Sequence, residues 1–336
     1  MSERAAIRIP SGAVQVDDDH VKRVVRKMLN GLVVPLLGAG VNMPGRPKDS
    51  EYRGPEDPYL PNGPELARYL ANNFEYTDLE ARRREDLPRI SQFLDVMEGS
   101  GELYQRLHDV FSASYAPGPV HMFLARLQPI LREAGKGAQV ILTTNWDDAL
   151  ERAFEETGEE YDLVTYICTH PTEHRGRFAH RAPGQSEFVP IERPNEYSGL
   201  DPRKRPVILK MHGAVVRCDT FEQDNYVITE DHYIDYLAHT DITQLLPTPI
   251  PQKLRNSHFL FLGYSMADWN LRVILRRIWG MQGLDYPSWS IQYDPDPLET
   301  RFWDDRGVTV FDIDVAEYVQ RLRLELVNRR GLQLPQ

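Results

Sequence analysis

The decapeptide VVPLLGAGVN (residues 33–42) joins a run of apolar residues to a loop that contains two glycines, Gly38 and Gly40. The apolar run, Leu32–Leu37, has the length and composition of a buried β-strand. Glycines directly after a strand let the backbone approach a phosphate group and can offer N–H groups as donors. A tight turn explains the same two glycines, and no third glycine completes the dinucleotide-binding pattern G-x-G-x-x-G. Taken alone, this loop leaves both interpretations open.

The pattern of an apolar run ending in polar or glycine residues occurs three more times. The runs Ala138–Thr143, Val207–Met211 and Phe259–Leu262 end at Thr144-Asn145-Trp146-Asp147, His212-Gly213 and Gly263-Tyr264-Ser265. Two further apolar runs, Ser288–Tyr293 and Val308–Ile313, precede a last helical pattern at Ala316–Asn328. Because helical patterns alternate with these runs, we predict an α/β fold with a parallel sheet flanked by helices. Ligands of such sheets bind outside the carboxyl ends of the strands, so the four strand ends predict one binding site.

A long helical stretch separates the first two predicted strands. It contains four amphipathic patterns, at Glu65–Asn73, Arg89–Met97, Glu102–Ser112 and Val120–Glu133. This is too much chain for a simple crossover, so we expect a helical insertion after the first strand, at about residues 63–135, within one domain that spans residues 1–336. Met43–Pro64 is rich in proline, glycine and charge and predicts a long ordered loop or a lid over the first strand's end. Arg175–Arg205 is predicted to be irregular.

Composition excludes several classes of function. The 336 residues include 39 Lys and Arg against 50 Asp and Glu, a net charge of −11 that argues against binding nucleic acid over the whole surface. No apolar run approaches the roughly 18 residues of a membrane span, and the polar N-terminus does not resemble a signal peptide, so we expect a cytoplasmic protein. The two cysteines, Cys168 and Cys218, cannot form a four-cysteine zinc site and indicate no disulfide framework.

Three polar side chains at the predicted strand ends are candidates for a catalytic role. Asn145 and Asp147 precede a helical pattern, and helix capping by one of them is the simpler interpretation. Capping explains one such residue but not both. His212 follows the third of these runs, and an unperturbed histidine is the side chain best suited to proton transfer at neutral pH, although a lone histidine is usually structural.

The four segments, taken in order, resemble the sirtuin superfamily in their Gly-Ala-Gly loop, Thr-Thr-Asn-Trp-Asp, Met-His-Gly and Leu-Gly-Tyr-Ser. The resemblance runs from Leu32 to about Asn328 and implies a Rossmann-like sheet that binds NAD. It implies that the glycine loop cradles the phosphates, that an Asn and an Asp lie near the nicotinamide ribose, and that the histidine acts as a base. The implied catalytic residues are His212, Asn145 and Asp147; the implied cofactor-binding residues are Gly38, Ala39, Gly40, Asn42, Gly263 and Ser265.

Departures from that family point away from protein substrates. Deacylating sirtuins carry two Cys-x-x-Cys pairs for a structural zinc, which this chain lacks, so we expect no zinc. The Pro-Asp-Phe-Arg segment that follows the family's first loop is absent, and Asn42 stands where the deacylases carry serine. The pattern is similar to that of bacterial sirtuin-like proteins that hydrolyse NAD in antiphage defence. Two alternatives stay open: an NAD-dependent protein deacylase, and a non-catalytic NAD or ADP-ribose-binding sensor or scaffold.

The expected function is therefore an NAD hydrolase that cleaves NAD to nicotinamide and ADP-ribose as an abortive-infection effector. Unchecked NAD loss would kill the host, and the chain shows no sensor domain. We expect a homo-oligomer and a separately encoded activating partner, such as a DNA-translocating ATPase (HerA-like) or a nucleic-acid-guided protein. The chain itself is expected to bind neither nucleic acid nor membrane.

Other candidates receive a simpler interpretation. His170, His174 and His180, with Glu173 nearby, have no cysteine partner and lie in a loop-like stretch, so a solvated loop is preferred to a zinc site. The basic run Pro202-Arg203-Lys204-Arg205 is interpreted as a solvated loop, with a phosphate or partner contact as the alternative. Residues Tyr226–Tyr233 predict a strand entering a helix that Thr229 caps, without assigned chemistry.

Overall fold

A sheet of nine strands forms the centre of the computed structural model. The structure describes residues 14–47, 49–74, 85–217, 221–238, 244–265 and 286–330, together with residues 272, 275 and 278. The strands are β1 (Val33–Leu37), β2 (Val140–Thr143), β3 (Asp162–Tyr166), β4 (Phe178–Arg181), β5 (Val189–Pro190), β6 (Val207–Lys210), β7 (Gly213–Ala214), β8 (Asn225–Tyr226), β9 (His258–Leu262), β10 (Ser288–Gln292) and β11 (Val308–Asp312). The nine strands of the main sheet follow the order β11-β10-β9-β1-β2-β6-β3-β4-β5. Strands β7 and β8 form a separate two-stranded sheet.

Helices cover both faces of the sheet. They are α1 (Asp18–Leu29), α2 (Gly63–Asn73), α3 (Leu87–Met97), α4 (Ser100–Ser112), α5 (Pro119–Glu133), α6 (Ala149–Thr157), α7 (Glu230–Ala238), α8 (Pro249–Arg255), α9 (Pro297–Asp304) and α10 (Val315–Arg330). The seven strands from β11 to β3 are parallel to their neighbours, and only β4 and β5 pair antiparallel. The predicted parallel α/β fold is confirmed.

The six predicted strands of the main sheet all form, within two residues of their expected ends. Strands β1, β2, β6 and β9 are buried along their whole length, which is why they are uniformly apolar in sequence. Their register brings Leu37 beside both Thr143 and Leu262, and Thr143 beside Lys210. All four strands therefore end at the same edge of the sheet.

Helices α2–α5 lie between β1 and β2 and form the predicted insertion. Asn62 and Glu65 form a capping box at the start of α2, and Asp86 caps α3. Helices α2, α3 and α4 share a hydrophobic cluster that includes Leu70, Leu94 and Leu107 and extends to Tyr226 and Ile228. Helix α5 instead packs on the sheet together with α1 and α10.

The expectation of an irregular stretch at Arg175–Arg205 is wrong in part, because β4 and β5 lie within it. Strand β3 is also absent from the sequence prediction. Both β3 and β4 carry buried polar residues that hide the apolar pattern. Asp162 begins β3 fully buried and accepts hydrogen bonds from His180 Nε2 (3.0 Å) and Arg205 Nη2 (2.8 Å). These hydrogen bonds compensate the buried charge of Asp162. In the sequence, the same polar residues resemble parts of a loop.

Two further predictions concern the cap of α7 and the segment after Gly263. Thr229 caps α7, since its Oγ1 accepts a hydrogen bond from the His232 backbone (3.1 Å). The sequence after Gly263 predicts an amphipathic helix that ends near Gly280, with Asp268 as its N-cap, and this prediction falls largely outside the described residues. Among the residues that are described, no helix is long and apolar enough to cross a membrane.

Candidate functional site

A cavity of about 440 Å³ opens at the carboxyl ends of β1, β2, β6 and β9. All nine residues singled out by sequence contribute to its lining. The lining residues are Gly38, Ala39, Gly40, Asn42, Met43, Pro61, Asn62, Gly63, Pro64, Leu66, Leu87, Phe111, Thr144, Asn145, Trp146, Asp147, His212, Tyr233, Gly263, Tyr264 and Ser265. The four predicted strand ends therefore meet at one cavity.

The glycine loop is shaped first by its contact with the loop after β9. The N–H of Gly38 donates to the Leu262 carbonyl (3.1 Å) and the N–H of Gly40 donates to the Gly263 carbonyl (2.8 Å). A Cβ at Gly38 or Gly40 would lie 2.7 Å from the Gly263 carbonyl oxygen. The two glycines are thus required for close backbone packing, and their N–H groups already have partners.

Asn145 and Asp147 are held by the glycine loop and the residues that follow it. The Asn145 Nδ2 group donates to the Gly38 carbonyl (3.2 Å), and Asp147 Oδ2 accepts from Asn42 Nδ2 (3.1 Å). Asp147 Oδ1 accepts from the Ala149 backbone (3.1 Å), which closes a turn just before α6. Both side chains are buried. The N-cap position of α6 is Asp148, without a side-chain capping bond, so the capping interpretation of Asn145 and Asp147 is wrong. Asn145 instead fixes the relative position of the two loops.

His212 lies at the turn after β6 with only 2% of its surface exposed. Its ring meets the rings of Tyr233 and Tyr236 edge-on, at centroid distances of 5.5 and 5.4 Å. Among the described residues, its Nε2 atom has no hydrogen-bond partner. Burial lowers the pKa of His212 to about 3, so the imidazole is neutral at neutral pH. A neutral, buried imidazole beside a cavity is suited to accept a hydrogen bond from a bound molecule.

One wall of the cavity comes from aromatic residues that sequence analysis did not select. The rings of Phe111 and Trp146 are 5.4 Å apart, and Trp146 Nε1 donates to the His212 carbonyl (2.9 Å). Phe111 belongs to α4 and Tyr233 to α7, which are distant in sequence from the strand-end motifs. Trp146 stands inside a selected motif and could have been found there. Phe111 and Tyr233 carry no sequence signal that distinguishes them from core residues.

The candidate metal cluster is not assembled. His180 is buried and bonded to Asp162 and to the Tyr197 hydroxyl (2.7 Å), and His170 is exposed. In the part of the chain that the structure describes, no group of three or more His, Cys, Asp or Glu side chains could hold a metal ion. In the basic run, Arg205 pairs with Asp162 (2.8 Å) and Arg203 pairs with Asp201 (2.9 Å).

Comparison with known proteins gives one family. A model of the SIR2-like domain matches residues 139–311. NAD(+) hydrolase ThsA of Acinetobacter baumannii (strain 532279) is 27% identical over 259 residues, which are 77% of this chain and 41% of that protein. NAD(+) hydrolase ThsA of Cytobacillus dafuensis is 26% identical over 208 residues, 62% of this chain and 33% of that protein. The matched part of this chain thus spans about two fifths or less of these relatives.

Two solved structures resemble the chain at low identity. One belongs to a study of the mechanism and regulation of Sir2 enzymes and has a TM-score of 0.42 at 14% identity, covering 94% of this chain and 99% of that one. The other, Sir2Af2 bound to a myristoylated histone peptide, has a TM-score of 0.38 at 12% identity, with the same coverage.

Proposed function

This chain belongs to the SIR2-like domain family, and from that premise we propose that it hydrolyses NAD to nicotinamide and ADP-ribose. The observation that carries the proposal is the grouping of an amide, a carboxylate and a buried neutral imidazole (Asn145, Asp147 and His212) around one cavity. The names of two distant relatives, both NAD(+) hydrolases, support the same activity. NAD is the substrate in this proposal, and no metal takes part.

Cleavage of the nicotinamide bond places positive charge on the ribose. Nicotinamide in NAD is already a cationic leaving group, so the enzyme has to stabilise an oxocarbenium-like ribose and admit one water molecule. Asp147 is the one acidic side chain among the described lining residues, and no Lys or Arg is among them. We assign to Asp147 the side of the cavity that faces the nicotinamide ribose, where its negative charge opposes the developing positive charge.

Asn145 and His212 complete the proposed chemistry. The Nδ2 group of Asn145 is tied to Gly38, and the Oδ1 atom of the same amide is the acceptor that we assign to the attacking water or a ribose hydroxyl. Nε2 of His212, buried without a partner in the described structure, is assigned as the acceptor of a proton from the ribose or the water. Gly38, Ala39, Gly40, Asn42, Gly263 and Ser265 are assigned to the rest of the dinucleotide.

The test is the identification of products after purified protein is incubated with NAD. We expect nicotinamide and ADP-ribose in equal amounts without an acylated peptide. His212→Ala and Asn145→Ala should each lower the rate by about a hundredfold or more, the range that proton transfer and positioning contribute. His170→Ala, at an exposed histidine, is the matched control. Undiminished turnover in folded His212→Ala and Asn145→Ala variants would remove the assigned roles.

The same assay separates the two alternatives. NAD consumption that requires an acylated peptide would identify a deacylase, and NAD or ADP-ribose binding without turnover under every condition would identify a sensor or scaffold. The assay is therefore run with and without acylated peptide, and with candidate activators. Cyclic ADP-ribose among the products would indicate that the cavity excludes water from part of the reaction.

We further propose that the activity serves antiphage defence and is controlled by assembly and by a separately encoded activator. The physical reason is the toxicity of unregulated NAD loss. Light scattering on the purified protein should detect a homo-oligomer, and a DNA-translocating ATPase should raise its NAD turnover. A monomer with full activity on its own would contradict this regulatory proposal while leaving the hydrolase activity in place.

A further inference from the structure

Lys210 is a fully buried cation that contacts the backbone of two residues lining the candidate site. It is the last residue of β6, two positions before His212, and none of its surface is exposed. Its Nζ group donates to the carbonyl oxygens of Trp146 (3.3 Å) and Asp147 and pairs with Glu151 Oε1 (2.8 Å). Lys210 therefore connects the strand that carries His212 to the backbone of the loop that carries Asn145 and Asp147.

The ion pair between Lys210 and Glu151 is not explained by stability. Both side chains are at least 95% buried, and Glu151 Oε2 has no hydrogen-bond partner among the described residues. Taking two charges out of water costs several kcal/mol per ion, and apolar residues of similar volume usually hold a core equally well. Burial raises the pKa of Glu151, while the nearby Lys210 acts in the opposite direction. The buried pair of Lys210 and Glu151 therefore needs an explanation other than stability.

That role follows from the atoms that Lys210 contacts. The carbonyls of Trp146 and Asp147 belong to the two peptide units on either side of Asp147, so their orientation sets the direction of the Asp147 side chain. Two other contacts hold the same loop against the β6 turn: the Val215 N–H donates to the Trp146 carbonyl (3.0 Å), and the Trp146 indole donates to the His212 carbonyl. Lys210 is the charged member of this set, and charge-assisted hydrogen bonds are the stronger kind.

We propose that Lys210 is a positioning residue that fixes the loop of residues 145–147 relative to His212, and that Glu151 balances its charge. The inference rests on the proposed hydrolase function but names residues outside the cavity lining. Lys210 contacts no bound molecule in this proposal. It acts on the reaction through Asp147, and through the geometry between Asp147 and His212.

The test compares two variants that leave one buried charge unpaired. Lys210→Met removes the donor to the two carbonyls, whereas Glu151→Gln removes only the balancing charge and leaves that donor in place. We expect both variants to melt at lower temperature. We expect Lys210→Met to lower kcat for NAD by about ten- to a hundredfold with KM within about threefold, because misplacement by about 1 Å has effects of that size. Glu151→Gln should lose much less turnover.

The double variant Lys210→Met/Glu151→Gln keeps the test decisive if either single variant folds poorly, because no unpaired charge remains in its core. We expect its melting temperature to recover while kcat stays low. Recovery of kcat together with the melting temperature would overturn the inference, because the pair would then be only structural. Equal loss of kcat in the two single variants would overturn it as well.

A readout independent of turnover separates this inference from the proposed function. The indole N–H of Trp146 reports on the loop, and its NMR resonance can be assigned from its loss in Trp146→Phe. We expect Lys210→Met and the double variant to move this resonance, and Glu151→Gln to leave it near its wild-type position. If the wild type does not hydrolyse NAD, the proposed function fails and the resonance still decides the inference; an unmoved resonance in the double variant overturns it.

Discussion

Gly263 lies where the two glycine-containing loops of the site meet backbone to backbone. Its φ angle is +60°, in the left-handed region that favours glycine, and an added Cβ would lie 2.3 Å from the Val41 nitrogen. Gly38 and Gly40 face it from the other loop. All three glycines were predicted as cofactor-binding residues, but their packing against one another was not predicted, because a sequence does not show which loop packs on which. In the structure the three glycines have a packing role, and contact with a ligand would be a second role.

Replacement of Gly263 by alanine should therefore be costly for two separable reasons. The left-handed conformation costs about 1–2 kcal/mol for a residue with a Cβ, and overpacking adds about 1–3 kcal/mol. Gly135 has a similar φ angle of +63° but no atom within 4 Å of the added Cβ, so Gly135→Ala should show the first cost alone. Chemical denaturation of both variants measures the difference. Equal loss of stability in the two would mean that the loop after β9 moves freely to accept the methyl group.

At the scale of elements, the long loop between β1 and α2 is fixed to the insertion by one buried ion pair. Arg46 binds the Glu65 carboxylate through two hydrogen bonds of 2.9 and 2.7 Å and also donates to the Leu60 carbonyl (3.2 Å). Burial acts to raise the pKa of Glu65, but the hydrogen bonds from Arg46 and the Asn62 backbone outweigh it and lower that pKa. The loop was predicted as ordered from its proline and glycine content, and this pair supplies the physical reason.

Glu65→Gln should release the loop as well as lower stability. An uncompensated Arg46, whose side chain is 4% exposed, should cost about 3–5 kcal/mol, because the other member of a buried pair has been removed. Glu85→Gln is the matched control: Glu85 pairs with Arg68 at the surface, where such pairs contribute about 1 kcal/mol or less. Limited proteolysis should cut the Glu65→Gln variant within residues 43–62. Resistance equal to that of the control would show that the loop is held by other contacts.

Two of the strands that were not predicted from the sequence share a physical property. Strand β3 starts with Asp162 and β4 contains His180, so neither strand is an apolar run in the sequence, although both lie in the sheet. The strands β1, β2, β6 and β9 were predicted because burial on both faces leaves an unbroken apolar pattern. A polar network can be recognised as a core feature only when its partners are known. His180 was accordingly grouped with other histidines of its loop and not with Asp162.

At the scale of the whole molecule, the site could be predicted in part because topology alone brings strand ends together. A parallel sheet places the carboxyl ends of neighbouring strands at one edge, and the four motifs lie on four adjacent strands: β9, β1, β2 and β6. The wall formed by Phe111 and Tyr233 depends on how the insertion and α7 pack against that edge. No local pattern encodes that packing, so this half of the cavity became visible only in the folded chain.

The molecule also buries several histidines in neutral form, which makes its stability depend on pH. Burial lowers the pKa of His212 to about 3, and it also lowers the pKa values of His121 and His258. Burial, with help from the charge of Arg23, lowers the pKa of His20 to about 4 against the opposing effect of Asp17. Between the unfolded value of 6.5 and these lower values, the unfolded chain binds more protons than the folded chain, so acid favours unfolding.

His20 is the histidine with which this dependence can be tested away from the site. It lies on α1, its Nε2 atom contacts the Tyr318 hydroxyl at 2.8 Å, and its folded-state pKa of about 4 lies below the unfolded value of 6.5. Its contribution to the free energy of unfolding is therefore fully present above pH 6.5 and is lost as the pH falls toward 4. Each group of this kind contributes a slope of up to about 1.4 kcal/mol per pH unit.

In His20→Gln, the free energy of unfolding should fall less steeply between pH 6.5 and pH 4 than in the wild type, by up to about 1.4 kcal/mol per pH unit. Denaturant titrations at a series of pH values measure both slopes, and the contributions of the other histidines cancel in the comparison. A His20→Gln slope equal to that of the wild type would mean that folding does not lower the pKa of His20 and that the acid sensitivity arises from other groups.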